Sequence, residues 1–181
     1  MFADSVKFIC KFLANPKTTG ALCPSSHFLA RQMAANSPES GLIIELGAGS
    51  GSVTSEILKK AEVSRVRSVE LDKNLCEILR HKFPDLAVVN DSAENIAGIA
   101  NGEKIGAVIS SLPLLNIPEP IVRNILNAVE STLPKGGIFV QFTYNLRKKP
   151  EQLGFTKMRH LKTKFVYLNI PPARVDVFIK E

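Results

Sequence analysis

The sequence predicts an α/β fold with a mostly parallel, seven-stranded sheet, a C-terminal antiparallel hairpin and N-terminal helices. Short apolar runs typical of strands alternate with runs typical of helices, which is the pattern of parallel strands joined by crossover helices. Near the end of the chain, only residues 170–173 separate two strand-like runs. That link is too short for a helix, so these two strands should pair antiparallel. The 181 residues, 45% of them hydrophobic, suffice for one domain with its own core.

The N-terminal region is predicted to be helical. Residues 2–14 read as a helix with a wide apolar face, which either packs on the domain or lies in a membrane interface. Ser25 or Ser26 can N-cap a second helix that ends near Ala35. The expected boundaries are 1–181 for a single domain, 1–36 for a helical cap or membrane-contact segment, and 42–181 for the core.

The remaining elements follow from short apolar runs bounded by Gly, Pro or polar residues, and from longer runs between them. The predicted strands are residues 42–46, 66–70, 86–89, 105–111, 138–143, 165–169 and 174–179. The predicted helices between them are residues 53–61, 73–83 and 119–133.

The net charge of +6 is concentrated in one segment. Residues 147–164 hold seven Lys or Arg and one Glu, so the remainder of the chain is neutral. A neutral body with one basic segment points to an anionic partner, such as phospholipid or nucleic acid. Alternatively, the run is a solvated loop and helix face.

Several classes of protein are disfavoured. No apolar run approaches the ~18 residues needed to cross a bilayer. Charged residues interrupt the apolar residues at the start of the chain, which does not fit a signal peptide. The three cysteines are scattered, which favours reduced thiols in a cytosol over a disulfide framework or a zinc site.

A glycine-rich loop, residues 45–51, lies between the first predicted strand and the next helix. Glycines there allow a tight turn and a close approach of the backbone to a ligand. The loop lacks the Gly-Lys-Ser/Thr of a phosphate-binding P-loop, and Ser52 stands where a dinucleotide fingerprint needs glycine. The remaining pattern, Glu-x-Gly-x-Gly-x-Gly, resembles motif I of class I S-adenosylmethionine (SAM) methyltransferases. That resemblance implies that the loop packs on the methionine end of the cofactor and that Glu45 helps position its amino group.

Two further acids follow predicted strands, where an open α/β sheet binds ligands. Glu70 can accept hydrogen bonds from a ribose diol, which SAM and NAD both present. Asp91 either N-caps the next helix or, as the resemblance implies, reads the adenine together with its neighbour. The SAM-binding residues implied in this way are Glu45, Gly47, Ala48, Gly49, Ser50, Gly51, Glu70, Leu71, Asp91, Ser92, Ala93, Ser25 and Ser26.

The segment that leaves the fourth strand, residues 110–115, bears on the substrate. Enzymes that methylate base amines usually carry an amide or carboxylate and an aromatic residue here, which hold and stack the flipped base. This chain has Ser110 and Leu114 at those places, so adenine methylation loses both anchors. A plain strand-to-loop turn is the alternative interpretation.

Together with residues 19–30 and 136–144, this segment resembles the bacterial SAM-dependent phospholipid N-methyltransferases. The resemblance implies stepwise conversion of phosphatidylethanolamine to phosphatidylcholine, by a cytoplasmic protein peripheral on the inner membrane. Residues 2–14 and 147–164 are then expected to contact an anionic membrane surface. The alternatives are a nucleic-acid methyltransferase like the ribosomal RNA adenine dimethylases, and a SAM-binding module without catalysis.

No convincing general base for the acceptor amine is visible. Tyr144 and the hydroxyls of Ser110 and Ser111 are the catalytic candidates. The ring face of Tyr144 can also hold the developing trimethylammonium, unless the residue is a core aromatic at a strand end. His27 is more simply explained as a structural residue of an amphipathic helix, and no pattern of metal ligands is present.

Overall fold

The computed structural model describes residues 26–181, which form one seven-stranded sheet. The strands are β1 (Leu42–Leu46), β2 (Val66–Glu70), β3 (Ala87–Asn90), β4 (Ile105–Ser110), β5 (Ile138–Thr143), β6 (Met158–Val166) and β7 (Ala173–Lys180). Their order across the sheet is β3-β2-β1-β4-β5-β7-β6. The predicted fold class is confirmed, since β1 to β5 pair in parallel and β7 pairs antiparallel with both β5 and β6.

Helices within the described range cover both faces of the sheet. They are α1 (His27–Ala34), α2 (Ser52–Ile57), α3 (Lys73–Lys82), α4 (Ile96–Ala100) and α5 (Glu119–Thr132). The Oγ of Ser26 accepts a hydrogen bond from the backbone N–H of Leu29 at 3.3 Å, so the predicted cap of α1 is confirmed at Ser26. The predicted helix over residues 2–14 and the residue Ser25 lie outside the described residues.

The core has two layers, one on each side of the sheet. On one side, Ile96, Ile121 and Ile125 from α4 and α5 pack against the strands. On the other side, Leu29 and Met33 of α1 pack with residues of α2 and β7. Strand β1 lies between the layers and is buried along its whole length, which explains why its sequence is apolar except for Glu45.

The largest departure from the predicted elements is β6. It begins at Met158, whereas the sequence predicted a strand only from residue 165. The predicted loop and helix face for the basic segment is therefore wrong over residues 158–164. Those residues form the edge of the sheet, where charged side chains face water and discourage pairing with another chain.

Smaller departures concern helices. The helix predicted over residues 53–61 ends at Ile57, and α4 was not predicted. In the part of the chain described here, no helix has the length and apolar character that crossing a bilayer requires.

The register of the C-terminal strands decides where the hairpin points. Thr143, the last residue of β5, pairs with Arg174, and Val166 pairs with Ala173. The turn that joins β6 to β7 therefore lies at the end of the sheet where β1 to β5 have their carboxyl ends.

Candidate active site

The carboxyl ends of β1, β2, β3 and β4 open into a cleft of about 410 Å³, part of it open to solvent. Its walls hold Gly47 from the glycine loop, Glu70 from β2, Asp91 after β3 and Leu112 after β4. The remaining lining residues are Val69, Leu71, Ser92, Ala93, Ile117, Ile121 and Ile125. The structure therefore brings together the three features that the sequence had placed at successive strand ends, and we call this space the cofactor cleft.

The three glycines of the loop have different neighbours. Gly47, Gly49 and Gly51 all have positive φ angles, of 70°, 55° and 81°. A Cβ on Gly47 would lie 2.5 Å from Leu112 Cδ2, and one on Gly51 would lie 2.6 Å from Phe83 Cε2. A Cβ on Gly49 would meet nothing within 4 Å. The outer glycines are thus required by the protein's own packing, whereas the middle one borders space that a ligand can occupy.

Glu70 joins the loop to the end of β2. Its Oε2 accepts a hydrogen bond from the Gly49 N–H at 2.8 Å. Its Oε1 accepts from the N–H groups of Leu71 at 2.8 Å and Asp72 at 3.0 Å. Because a carboxylate oxygen can accept two hydrogen bonds, Oε2 retains room for one donor, such as a ribose hydroxyl. An open cradle at Gly49 and a free acceptor position on Glu70 fit the SAM that the motif implies.

Asp91 is held in place by its own loop. Its Oδ1 accepts from the Ser92 N–H at 2.7 Å, and its Oδ2 accepts from Asn95 Nδ2 at 2.7 Å. Asn95, not Asp91, precedes α4, so the alternative role of Asp91 as the N-cap of the next helix is wrong. Its position on the cleft wall agrees with the role that the resemblance implied for it and for Ser92 and Ala93.

Glu45 occupies a different position from the other acids. It is completely buried in β1 and is not among the residues that line the cofactor cleft. Its Oε2 accepts hydrogen bonds from Thr54 Oγ1 and Ser68 Oγ, both at 2.7 Å. Its Oε1 is buried and has no hydrogen-bond partner among residues 26–181. Burial raises the pKa of Glu45 to about 7, and the nearby Glu70 carboxylate acts in the same direction. The contact with the cofactor's amino group stays a prediction.

The raised pKa of Glu45 predicts a pH-dependent stability. The folded protein holds this proton up to about pH 7, while the unfolded chain releases it near the ordinary value of 4.5. The contribution of Glu45 to the free energy of unfolding should therefore fall between these two pH values, by about 3 kcal/mol. The Glu45→Gln side chain cannot bind or release a proton in this pH range. We expect its stability relative to the parent to rise by that amount over the interval, measured by urea unfolding.

The exposed Glu103 offers a matched control for this experiment, because it pairs with Arg67 at the surface. Glu103→Gln, measured in the same way, shows what the loss of a surface carboxylate does to stability. If the curves of Glu45→Gln and the parent stay parallel from about pH 4.5 to about pH 7, the raised pKa is wrong.

The turn after β4 uses the two candidate serines in its own structure. Ser110 is fully buried, and its Oγ accepts from the Leu112 N–H at 3.4 Å. Ser111 donates its backbone N–H to the Leu46 carbonyl at 2.8 Å. Its Oγ is buried without a hydrogen-bond partner in the described range. Of the two hydroxyls, that of Ser111 is the one without a hydrogen-bond partner in the described range, although Ser111 is not among the residues that line the cofactor cleft.

A second cleft, which we call the acceptor cleft, lies beyond this turn and encloses about 480 Å³, part of it open to solvent. Gln141 of β5 contributes to it, and its Nε2 donates to the carbonyls of Leu112 at 2.9 Å and Phe142 at 2.8 Å. The Gln141 Oε1 is buried and has no partner in the part of the chain described here. Arg174 and Asp176 of β7 form a buried ion pair at 2.9 Å on its wall.

Sequence reasoning missed Gln141, Arg174 and Asp176. The available signal was that each is a polar residue inside an otherwise apolar strand, where burial demands a partner or a function.

Tyr144 follows β5 directly. It is half-buried and meets the Phe142 ring edge to face, with centroids 5.3 Å apart. It also packs against the core layer on the α1 side, so it has the contacts of a strand-end aromatic. Nothing in these contacts tests the predicted catalytic role. His27 is largely exposed, with its Nδ1 3.2 Å from a Glu56 carboxylate oxygen.

Comparisons with known proteins identify the family. The chain matches the family described as "Ribosomal RNA adenine dimethylase" over residues 3–149. An ornithine lipid N-methyltransferase from Singulisphaera acidiphila is 30% identical over 149 residues, which are 77% of this chain and 78% of that protein. Ribosomal RNA small subunit methyltransferase A from Prochlorococcus marinus is 36% identical over 89 residues, which are 46% of this chain and 31% of that protein.

Solved structures show the same fold. A TehB-like SAM-dependent methyltransferase from Corynebacterium glutamicum superposes with a TM-score of 0.64 over 100% of both chains. Its sequence identity is 17%, so this likeness concerns the fold alone. The family match extends over the glycine loop, the strand-end acids and the turn after β4. From these findings we conclude that the chain belongs to the ribosomal RNA adenine dimethylase family and is a SAM-dependent N-methyltransferase with the class I fold.

Proposed function

We propose that this protein methylates the amine of phosphatidylethanolamine and of its methylated derivatives, and so produces phosphatidylcholine. The observation that carries the proposal is the composition of the acceptor cleft, which combines an apolar wall with a basic rim. Leu114 and Leu115 belong to the apolar part, and Lys148 and Lys149 to the basic part. An apolar wall suits the acyl end of a lipid, and the lysines suit the phosphodiester of its head group.

The same cleft is poorly suited to a flipped base. Enzymes that methylate base amines usually stack the extruded ring on an aromatic side chain at this place and hold its edge by hydrogen bonds. Leu114 takes the place of the aromatic residue, and within the described range Phe142 is the one aromatic residue on the wall of this cleft. Phe142 is itself buried in the core and contacts Tyr144.

The similarity to a lipid enzyme supports the substrate class. The ornithine lipid N-methyltransferase is matched along 78% of its length, whereas the ribosomal RNA methyltransferase is matched along 31%. A relative that acts on a lipid amine thus resembles most of this chain.

The chemistry needs little more than positioning and desolvation. Bound SAM supplies a methyl group on a sulfonium, which is open to in-line attack by an amine lone pair. The lipid amine must therefore be neutral when it reacts, although free amines of this kind are mostly protonated near neutral pH. Holding the amine at the turn after β4, away from bulk water, favours the neutral form.

Unpartnered acceptors near the turn can orient the amine. Ser111 Oγ and Gln141 Oε1 are buried and lack hydrogen-bond partners in the described range, so each can accept an N–H of the substrate. Neither is a strong base, so in this proposal the proton passes to water before the amine is enclosed. Tyr144 would offer its ring to the alkylated ammonium product.

Contact with an anionic membrane is part of the proposal. Arg147, Lys149, Lys162 and Lys164 are exposed, and none of them forms an ion pair with another residue in the range 26–181. Their charge would attract an anionic bilayer, together with residues 2–14, which lie outside the described residues. The protein would then be peripheral on the inner face of the cytoplasmic membrane.

Two other substrates follow from specific findings. The similarity to the ornithine lipid enzyme favours an ornithine head group, which has no phosphodiester for the lysines to bind. The family match favours an RNA adenine, for which the basic segment would bind the phosphates.

One assay separates these three substrates. The full-length protein and methyl-labelled SAM are incubated with vesicles of phosphatidylethanolamine and phosphatidylglycerol, with ornithine lipid in the same matrix, and with unmodified ribosomal RNA. We expect label in phosphatidylethanolamine, and mass spectrometry should show successive additions of single methyl groups. Label in RNA or in ornithine lipid, with none in phosphatidylethanolamine, would reject the proposal.

A further inference from the structure

The turn between β6 and β7 exposes an unusual group of large apolar side chains. Phe165 is 41% exposed, Tyr167 71%, Leu168 69% and Ile170 88%. Single exposed apolar residues are common on protein surfaces, but four within six consecutive residues form a contiguous patch. We call residues 165–170 the hairpin tip.

Within the tip, the polar residue Asn169 and the small apolar residue Val166 are buried, while the four large apolar side chains are exposed. Asn169 is 2% exposed, and its Nδ2 donates to the Pro171 carbonyl at 2.6 Å. Its Oδ1 accepts from the Ser26 N–H at 3.2 Å, which joins the tip to the start of α1. The rings of Phe165 and Tyr167 stack with centroids 5.9 Å apart. The exposed surface of the tip is therefore largely apolar, which is typical of an interaction site.

The hairpin tip lies near the acceptor cleft. Val166 pairs with Ala173, and Thr143 pairs with Arg174. The tip therefore lies at the end of the sheet where the strands have their carboxyl ends and where both clefts open. Phe165 lies directly opposite Arg174, a residue of the acceptor cleft wall. A surface that covers the tip would therefore stand beside the mouth of the acceptor cleft.

The charges next to the tip are of one sign. Residues 161–173 contain two lysines, Lys162 and Lys164, and no Asp or Glu. Both lysines are exposed on β6. Exposed aromatic and aliphatic side chains flanked by lysines match the interface of an anionic bilayer, where tyrosine rings sit at the head-group level and lysines meet lipid phosphates.

We propose that the hairpin tip inserts into the head-group region of an anionic phospholipid bilayer and holds the acceptor cleft against the lipid surface. This inference rests on the proposed function and adds an apolar membrane-docking element, residues 165–170, which follows directly on the basic segment 147–164 and is distinct from residues 2–14. Docking through Leu168 and Ile170 would let a head group enter the cleft while its acyl chains stay in the bilayer.

The chain contains no Trp, so a single introduced tryptophan reports on its own position alone. Ile170→Trp in the full-length protein places this probe in the tip. Ile78→Trp is the matched control, because Ile78 is also an exposed isoleucine and lies on α3, which packs beside β2 and β3 on the far side of the sheet from β6. The probe membrane is vesicles of phosphatidylcholine and phosphatidylglycerol, with and without brominated acyl chains. The emission of the Ile170→Trp variant should shift to the blue and be quenched by brominated lipid, less so at high salt, while the emission of the Ile78→Trp variant should change little.

Two results would overturn the docking proposal. If the emission of the Ile170→Trp variant stays unquenched while the protein sediments with the vesicles, attachment belongs to other segments. If that emission is already blue-shifted in buffer and does not respond to vesicles, protein covers the tip, either residues 1–25 or a second copy of the chain.

A second variant connects docking to activity. Leu168→Ser combined with Ile170→Ser should lower methylation of vesicle-bound phosphatidylethanolamine by about tenfold or more. Methylation of detergent-dispersed phosphatidylethanolamine should stay near the parent level, because docking is then unnecessary. Equal loss in both assays contradicts docking. A parent protein that methylates no phosphatidylethanolamine in detergent instead contradicts the proposed function, whatever the fluorescence shows.

Discussion

Gly49→Ala should weaken SAM binding by about ten- to a hundredfold and leave the protein folded. The added Cβ would meet no protein atom within 4 Å, and the Gly49 N–H donates to Glu70 on the cleft wall, so we expect this methyl group to stand where the cofactor binds. The positive φ of 55° makes alanine strained there, at a cost of roughly 1–2 kcal/mol of stability. Isothermal titration calorimetry measures the affinity, and thermal unfolding without SAM measures the strain.

Gly102→Ala separates strain from steric exclusion. Gly102 has a φ of 80°, and its Cβ would also meet nothing within 4 Å, but it lies in the turn after α4, whereas the Gly49 N–H donates to Glu70 on the wall of the cofactor cleft. This variant should lose similar stability and bind SAM like the parent. If Gly49→Ala and Gly102→Ala bind SAM equally well, the glycine loop does not border the cofactor.

Glu70→Ala should reduce SAM affinity by about ten- to more than a hundredfold, because it removes a charged acceptor worth ~1.5–3 kcal/mol. The change also leaves the Gly49, Leu71 and Asp72 N–H groups without their side-chain acceptor. A lower melting temperature without SAM is therefore expected as well. Calorimetry at a temperature where the variant is fully folded isolates the loss of binding.

Glu103→Ala is the control for loss of a carboxylate, since Glu103 pairs with Arg67 at the surface and is not part of the cleft wall. Glu70→Gln should fall between the parent and Glu70→Ala, because an amide keeps one acceptor oxygen and loses the charge. A folded Glu70→Ala protein with unchanged SAM affinity would show that the ribose assignment is wrong.

Much of the fold could be predicted from local patterns. The predicted bounds of β1, β2 and β5 coincide with the structure. β1 and β5 are short, mostly apolar runs, whereas β2 carries Val66 and Val69 among polar residues. The start of β6 was missed because Arg159, Lys162 and Lys164 give it a polar composition. Only pairing with the buried strand β7 makes those residues a strand.

The cofactor cleft was also predictable, for a topological reason. Parallel strands joined by crossovers have their carboxyl ends at the same end of the sheet. Residues that follow successive strands are therefore neighbours, and this can be predicted without knowing how the side chains pack. Glu70 and Asp91 both line the cofactor cleft for this reason. They are far apart along the chain, since Asn90, the residue before Asp91, is 20 positions from Glu70.

The sequence by itself determined which candidate functional feature follows each strand. A glycine loop follows β1, an acid stands at the end of β2, another acid follows β3, and a turn follows β4. Only the tertiary structure decided that Glu45 lies buried on Thr54 and Ser68, that Gln141 keeps an unpartnered oxygen within the described range, and that the hairpin tip stays exposed. The physical reason is that spacing along the chain sets which strand end a residue follows. Burial and hydrogen bonding depend instead on which distant elements pack over it, and that information is not local in the sequence.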